Sequence, residues 1–216
     1  MIYFVIVNTI AIYLFPGGSL YDPTLTSYSF SENFFSDLGV YETVSGEQNF
    51  LSCFLFNSTL VMMGFACLSF ILVPRLFKDN KISYVCATIG SYIAMLSGLS
   101  FLGVGLTPAD LYFHEHVFFV IVGFRSMVPA MVFLTLAFFF SPVSNKYTVA
   151  SVLFLLSITL YAFFETSDPP DVSPRENLEL FKESVSYNRM VISVIAQKVI
   201  TLISFVSFFV FTYGFY

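Results

Sequence analysis

The sequence predicts an all-α membrane protein with six transmembrane helices, short cytoplasmic loops and structured extracytoplasmic loops. Hydrophobic residues make up 57% of the 216 residues and charged residues only 11%, whereas roughly a quarter of a soluble chain is charged. The apolar residues are gathered into runs close to the roughly 20 residues that cross a bilayer. A soluble domain of this size buries only about two-thirds of its unfolded surface. Lipid must therefore solvate much of the chain.

The predicted spans are residues 1–15, 50–73, 82–106, 113–140, 147–164 and 190–213. The first span is the shortest, because it ends at Pro16-Gly17-Gly18. It has neither a basic segment before its apolar run nor a small-residue cleavage site after it, so we expect a retained anchor helix rather than a removed signal peptide.

The distribution of basic residues predicts the orientation. Residues 74–81 hold three Lys or Arg and residues 141–146 hold one, whereas residues 16–49 and 107–112 hold none. The positive-inside rule places the short basic loops, and both termini, in the cytoplasm. The long loops 16–49 and 165–189 then face outward, and we expect a multi-pass protein of the plasma membrane.

Both long loops carry helix signals. Ser31 and Gly39 are suited to begin and end a short interfacial helix in the first loop. Ser173 and Glu176 form a capping box in the second loop. We expect the last helix to begin near Pro174 and to enter the membrane without a break, with its outer part packed on the first loop.

Small residues and net charge indicate the partners. Gly90, Ala94 and Gly98 recur every four residues, a stripe that lets helices approach closely. We expect a packing seam within the chain, with a homo-oligomer interface as the alternative. Membrane lipids and other membrane subunits remain candidate partners, whereas a net charge of −5 gives no reason to expect nucleic acid.

Two cations lie inside predicted spans, Arg125 and Lys198. Intramembrane charges are costly and often functional. One hypothesis is an outward-opening pocket that binds an anionic amphiphile, with these cations at its floor and His114 and Asp110 near its mouth. The alternative is that both cations only fix helix positions.

An enzymatic alternative starts from Asp37, Asp110 and His114 as candidate catalytic groups. His114, Glu115 and His116 are weak candidates for a metal site. Side chains two residues apart on a helix point about 200° apart, so both histidines cannot bind one ion there. We predict no cofactor, and the sequence contains no GxSxG or HExxH motif. A small transporter is less favoured, because no matching pair of broken spans is present.

The first loop resembles the domain-of-unknown-function 998 family of small prokaryotic membrane proteins. The resemblance rests on Pro16-Gly17-Gly18, on Asn33 through Gly39, and on Gly105 to Pro108 followed by His114. It implies about six helices in a prokaryotic plasma membrane and supplies no activity. It also marks five positions for testing together: Asn33, Ser36, Asp37, Pro108 and His114. The sequence hypothesis is therefore a non-enzymatic protein that binds an amphiphile or serves as a complex subunit.

Overall fold

The computed structural model describes residues 2–167 and 170–213, which contain seven α-helices and two 3₁₀ helices joined by loops and no strand. The seven α-helices are α1 (Ile2–Leu14), α2 (Phe50–Cys67), α3 (Lys81–Leu106), α4 (Phe113–Phe140), α5 (Asn145–Thr166), α6 (Leu178–Ser184) and α7 (Tyr187–Tyr213). Two 3₁₀ helices cover Phe35–Gly39 and Leu68–Phe77. The predicted all-α class is confirmed. Residues 168 and 169 of the predicted second loop lie outside the described residues, as does Met1 of the first predicted span.

In the part of the chain that the structure describes, five helices are long and apolar enough to cross a membrane: Phe50–Phe77, which includes the second 3₁₀ helix, and α3, α4, α5 and α7. Only 11–33% of their most apolar windows is buried inside the chain, so most of these side chains are left for lipid. α1 has 13 residues and spans about 20 Å by helical rise, short of the roughly 30 Å hydrocarbon core. A sixth crossing stays a prediction.

The chain divides into two compact units. The first unit consists of Met1–Met62, Leu102–Phe119 and Ser167–Lys198, and the second of Met63–Phe101, Val120–Thr166 and Val199–Tyr216. The first unit contains both long loops, and its core includes Leu20, Phe181, Met190 and Val194, with Phe34 packed against them. The expected packing between the first loop and the segment before α7 is therefore present.

The second unit is centred on Phe77, Ala87, Ala137, Phe138 and Tyr147. The small-residue stripe of α3 packs here inside the chain. A methyl group added at Gly98 would lie 2.2 Å from the Cys67 β-carbon, and one added at Gly90 would lie 2.9 Å from the Leu134 γ-carbon. These approaches form the predicted seam. A homo-oligomer through the same face stays a prediction, and it would compete with these contacts.

Polar side chains at the start of α2 bind the carbonyl groups at the end of the first 3₁₀ helix. We call this set the polar ladder; its members are Asn49, Ser52, Cys53 and Asn57. Asn57 Nδ2 donates to the Gly39 carbonyl at 2.9 Å, and Asn49 Nδ2 donates to the Val40 carbonyl at 2.9 Å. A side chain at Gly39 would lie 2.6 Å from Asn57 Oδ1, so the docking requires glycine there.

The predicted helix of the first loop was wrong in its boundaries. The 3₁₀ helix begins at Phe35 rather than near Ser31, because the Asp37 carboxylate accepts the N–H of Phe34 at 2.9 Å. Phe30, Phe34 and Leu38 have the four-residue spacing of one apolar helix face, but Phe30 is 62% exposed while Leu38 is fully buried, so they form no common face.

The prediction of one unbroken last helix was also wrong. Ser173 and Glu176 exchange the two bonds of the capping box, but α6 begins at Leu178 and ends at Ser184. Val185 then adopts extended backbone, with φ −121° and ψ 96°. The Tyr21 hydroxyl donates to the Val185 carbonyl, and the Ser186 hydroxyl accepts the N–H of Arg189 at 3.4 Å to begin α7.

Candidate functional site

Lys198 of α7 reaches the first loop within the first unit. Its ammonium donates to the Asn33 carbonyl at 2.7 Å. Three aromatic rings surround it, those of Tyr28, Phe30 and Phe35, with centroids 5.4, 5.7 and 5.2 Å from Nζ. These distances lie within the range of cation–π attraction. An ammonium carries three donors, and among the described residues only the Asn33 carbonyl accepts from it.

Asn33 holds the loop around this cation. It is 1% exposed, and its Oδ1 accepts the N–H of Ser29 at 2.9 Å. Its Nδ2 donates to the Gly18 carbonyl at 2.9 Å and to Asp37 Oδ2 at 3.1 Å. The side chain therefore ties three points of the loop together, which fixes the direction of the main-chain carbonyl that Lys198 binds.

Asp37 completes the site from the first 3₁₀ helix. Its Oδ2 accepts from Asn33 Nδ2 and from the Phe34 N–H, and its side chain is only partly exposed. Burial raises the pKa of this carboxyl to about 6, although the two hydrogen bonds and the positive charge of Lys198 favour the ionised form. The carboxyl is therefore ionised at neutral pH and protonated in mild acid.

Asp110 is held by hydrogen bonds and an ion pair within the first unit, and its predicted place near the mouth of a pocket stays a prediction. Its carboxylate accepts the backbone N–H groups of Tyr41 at 3.0 Å and Glu42 at 3.1 Å. Arg175 lies 3.5 Å from Asp110 Oδ2 and 3.0 Å from the Glu42 carboxylate. Only 5% of the Asp110 side chain is exposed. Asp110 thus connects the two long loops, and its oxygens already have partners.

The histidines point in different directions, as their spacing predicts. His116 is 7% exposed and its Nδ1 lies 2.7 Å from the Thr107 carbonyl. His114 and Glu115 are exposed, and the His114 ring packs on Phe113. Within residues 2–167 and 170–213, no group of three His, Cys, Asp or Glu side chains is arranged to hold a metal ion.

Two further positions marked by the family resemblance have local roles. Ser36 lies partly buried in the first 3₁₀ helix. Pro108 lies in the turn before α4, where its carbonyl accepts the N–H groups of Leu111 and Tyr112 at 3.0 and 2.9 Å. Of the five marked positions, Asn33 and Asp37 meet at the Lys198 site.

Arg125 belongs to the second unit and has its own partners. Its Nε donates to Thr166 Oγ1 at 2.7 Å and its Nη2 donates to the Thr166 carbonyl at 2.6 Å. Thr166 is the last residue of α5, so the guanidinium caps the negative end of that helix. These contacts fit the structural alternative for Arg125; a pocket shared with Lys198 stays a prediction.

Sequence reasoning missed the groups that contact Lys198. The acceptor is a backbone carbonyl, and because every residue has one, the sequence does not indicate which carbonyl binds the ammonium. Gln197 was also missed; its Oε1 accepts the Phe35 N–H at 2.7 Å beside the site. The aromatic density of residues 28–35 was the signal available, because aromatic rings near a membrane cation can attract it.

The fold and the site define a multi-pass membrane protein whose first loop binds a cation of its last helix. The chain belongs to the DUF998 family, described as "Protein of unknown function (DUF998)", whose profile matches residues 9–177. The matched region contains Asn33 and Asp37 but ends before Lys198. No curated protein and no solved structure matches the chain.

Proposed function

We propose that this protein binds the anionic head group of an amphiphile at Lys198, on the extracytoplasmic side of a prokaryotic plasma membrane, and does not alter it chemically. The observation that carries the proposal is that the Lys198 ammonium has three N–H donors but only one hydrogen-bond acceptor among the described residues, the Asn33 carbonyl. Aromatic rings attract the charge but cannot replace strong acceptors. Phosphate or carboxylate oxygens would supply charge-assisted bonds to the remaining donors.

The surroundings of Lys198 suit an amphiphile rather than a free ion. Ile195, one helical turn before Lys198, is 47% exposed, and Ile192 is 54% exposed. Side chains three residues apart lie on the same helix face, so an acyl chain could lie along Ile195 while the head group meets the ammonium. The outward orientation comes from the absence of basic residues in loop 16–49.

Reconstitution with defined lipids tests the proposal. The purified protein is placed in nanodiscs of phosphatidylcholine that contain a small fraction of phosphatidylglycerol, and the phosphatidylglycerol retained after delipidation is counted by native mass spectrometry. Lys198→Gln should lower its retention roughly tenfold or more, since charge-assisted hydrogen bonds contribute about 1.5–3 kcal/mol. Lys198→Arg should retain most of it. Soluble inorganic phosphate should not displace the lipid if the acyl chain contributes.

Two control variants separate this effect from general loss of charge. Lys182 is a cation of the second loop that pairs with Glu179 at 3.7 Å, and Lys182→Gln should leave lipid retention unchanged. Arg125→Gln should weaken the fold through Thr166 without changing the retained lipid. Equal retention by Lys198→Gln and the wild type, with both folded, would refute the proposed site. An equal loss of retained lipid in Arg125→Gln would support the predicted pocket that contains both cations.

A second candidate function is hydrolysis of a lipid at the same face. The feature in its favour is the partly buried Asp37 carboxylate, which is held by Asn33 and the Phe34 N–H. Burial raises the pKa of this carboxyl to about 6, which suits a general acid or base near neutral pH. The test is release of a water-soluble head group from fluorescent phosphatidylglycerol in the same nanodiscs. Turnover that Asp37→Asn abolishes would favour the enzyme; binding without turnover favours the first proposal.

A further inference from the structure

We infer that the Lys198 site selects a head group with a primary ammonium beside its phosphate, so that the phosphate binds Lys198 and the ammonium binds Asp37. Phosphatidylethanolamine has this chemistry. The inference rests on the proposed function and names the ligand class of that site. It makes Asp37 a specificity-determining residue.

The two carboxylate oxygens of Asp37 differ in their hydrogen bonds, and this is the first support for the inference. Oδ2 accepts from Asn33 Nδ2 and from the Phe34 N–H. Oδ1 accepts no hydrogen bond from any described residue, and it is not among the fully buried polar atoms without partners. An ionised carboxylate has about four acceptor positions. Oδ1 therefore has unused acceptor capacity and is not fully enclosed by the described residues.

The second support is the relation between Asp37 and Lys198. Their charges act on each other, yet no direct ion pair joins the two side chains, although both are described residues. Opposite charges held near each other without contact match a ligand that carries both signs. A head group with only negative charge would bring its phosphate toward the Asp37 carboxylate, and like charges placed together oppose binding.

The aromatic rings distinguish two zwitterionic head groups. A quaternary choline has no N–H to donate and is usually bound by an aromatic cage. Here Tyr28, Phe30 and Phe35 already surround the Lys198 ammonium, so these rings are not free for choline. Oδ1 of Asp37 offers a hydrogen-bond acceptor instead, which favours a primary ammonium over choline.

Competition between lipids tests the inference. Nanodiscs contain equal fractions of phosphatidylethanolamine, phosphatidylglycerol and phosphatidylcholine with identical acyl chains, and the lipids that co-purify after delipidation are quantified by mass spectrometry. The wild type should retain phosphatidylethanolamine about tenfold over phosphatidylglycerol, the effect of one charge-assisted hydrogen bond. Asp37→Asn should reduce this ratio to about one while phosphatidylglycerol is still retained. Glu47→Gln, which neutralises an exposed acid of the same loop, should keep the wild-type ratio.

A shift in pH gives a second readout on the unmodified protein. Lowering the pH from about 7.5 to 5 protonates Asp37, whose pKa is about 6, and the preference for phosphatidylethanolamine should fall. Lys198 from α7 and Tyr28 from the first loop are the titratable groups among the described residues that face Asp37. Acidification neither neutralises an ammonium nor ionises a phenol, so a fall in the preference is assigned to Asp37.

The outcomes separate the two proposals. Equal retention of phosphatidylethanolamine and phosphatidylglycerol by the wild type, or an unchanged ratio in folded Asp37→Asn, overturns the inference and leaves anion binding at Lys198 standing. Lipid retention that is unaffected by Lys198→Gln overturns the proposed function itself. Retention of phosphatidylcholine equal to that of phosphatidylethanolamine also overturns the inference, because choline offers no donor to Oδ1.

Discussion

Replacing Asp110 by alanine should destabilise the first unit by about 2–3 kcal/mol. The carboxylate accepts two backbone N–H groups, from Tyr41 and Glu42, and hydrogen bonds to a charged group contribute about 1.5–3 kcal/mol each. Both donors belong to exposed residues, so water recovers roughly half of this. The contact with Arg175, whose side chain is 42% exposed, adds at most about 1 kcal/mol.

Mass-spectrometric detection of thiol labelling at Cys53 during a thermal ramp measures this loss. Cys53 is buried in the first unit and reacts once that unit opens, whereas Cys67 and Cys86 are already partly exposed in the second unit. A loss of 2–3 kcal/mol corresponds to a fall in Tm of roughly 4–12 °C for a chain of this length. Asp171→Asn, an exposed acid in the second loop, should change stability by less than about 0.5 kcal/mol. Melting of Asp110→Ala at the wild-type temperature, or an equal loss of stability in Arg175→Gln and Asp110→Ala, would contradict the role assigned to the two backbone hydrogen bonds. In the second case the ion pair, rather than the backbone hydrogen bonds, would hold the loops together.

Two further perturbations probe other parts of the chain. Gly98→Ala should lower the free energy of unfolding by about 1–3 kcal/mol by overpacking the α3 seam, measured as loss of the monodisperse peak during heating in detergent. Leu99→Ala at the adjacent exposed position should cost less. Equal melting of Gly98→Ala and the wild type would contradict the seam. For Asp37, burial raises the pKa of the folded carboxyl from 3.8 to about 6, so the folded state retains a proton that the unfolded chain has released. Wild-type stability relative to Asp37→Asn should therefore be highest near pH 4 and fall as the pH rises through about 6. A difference that stays constant from pH 4 to 7, or that grows, would contradict the buried environment of Asp37.

Hydropathy predicts the long helices well because lipid imposes a simple constraint. A segment in the hydrocarbon core must satisfy its backbone internally, so a long apolar run has few alternatives to a helix. The predicted run 113–140 coincides with α4, Phe113–Phe140. The break at Val185 was missed because the apolar spacing continues through it. A local signal existed, since Ser186 stands directly before Tyr187, where an N-cap residue begins a new helix.

The site was only partly predictable, because its contacts join residues distant in sequence. Lys198 could be singled out as a costly intramembrane cation, and Asp37 as an acid in the first loop. Their shared neighbour is Asn33, whose carbonyl binds Lys198 and whose side-chain amide binds Asp37, and it is 165 residues from Lys198 in sequence. Asp110 was assigned to the mouth of a pocket, whereas its partners are backbone groups 68 and 69 residues away. Residue types indicate which chemical groups are available, but the tertiary fold determines which of them already have partners.

The polar ladder at the start of α2 implies that the first loop completes its folding after α2 has been made and inserted. The first loop leaves the ribosome before α2, so the carbonyl groups of Leu38, Gly39 and Val40 initially have only water as a partner. Their final donors, among them Asn49 and Asn57, are located at the start of a later membrane segment. The loop can therefore complete its fold only after that segment has been inserted. Maturation of the first loop therefore depends on the insertion of the span that follows it.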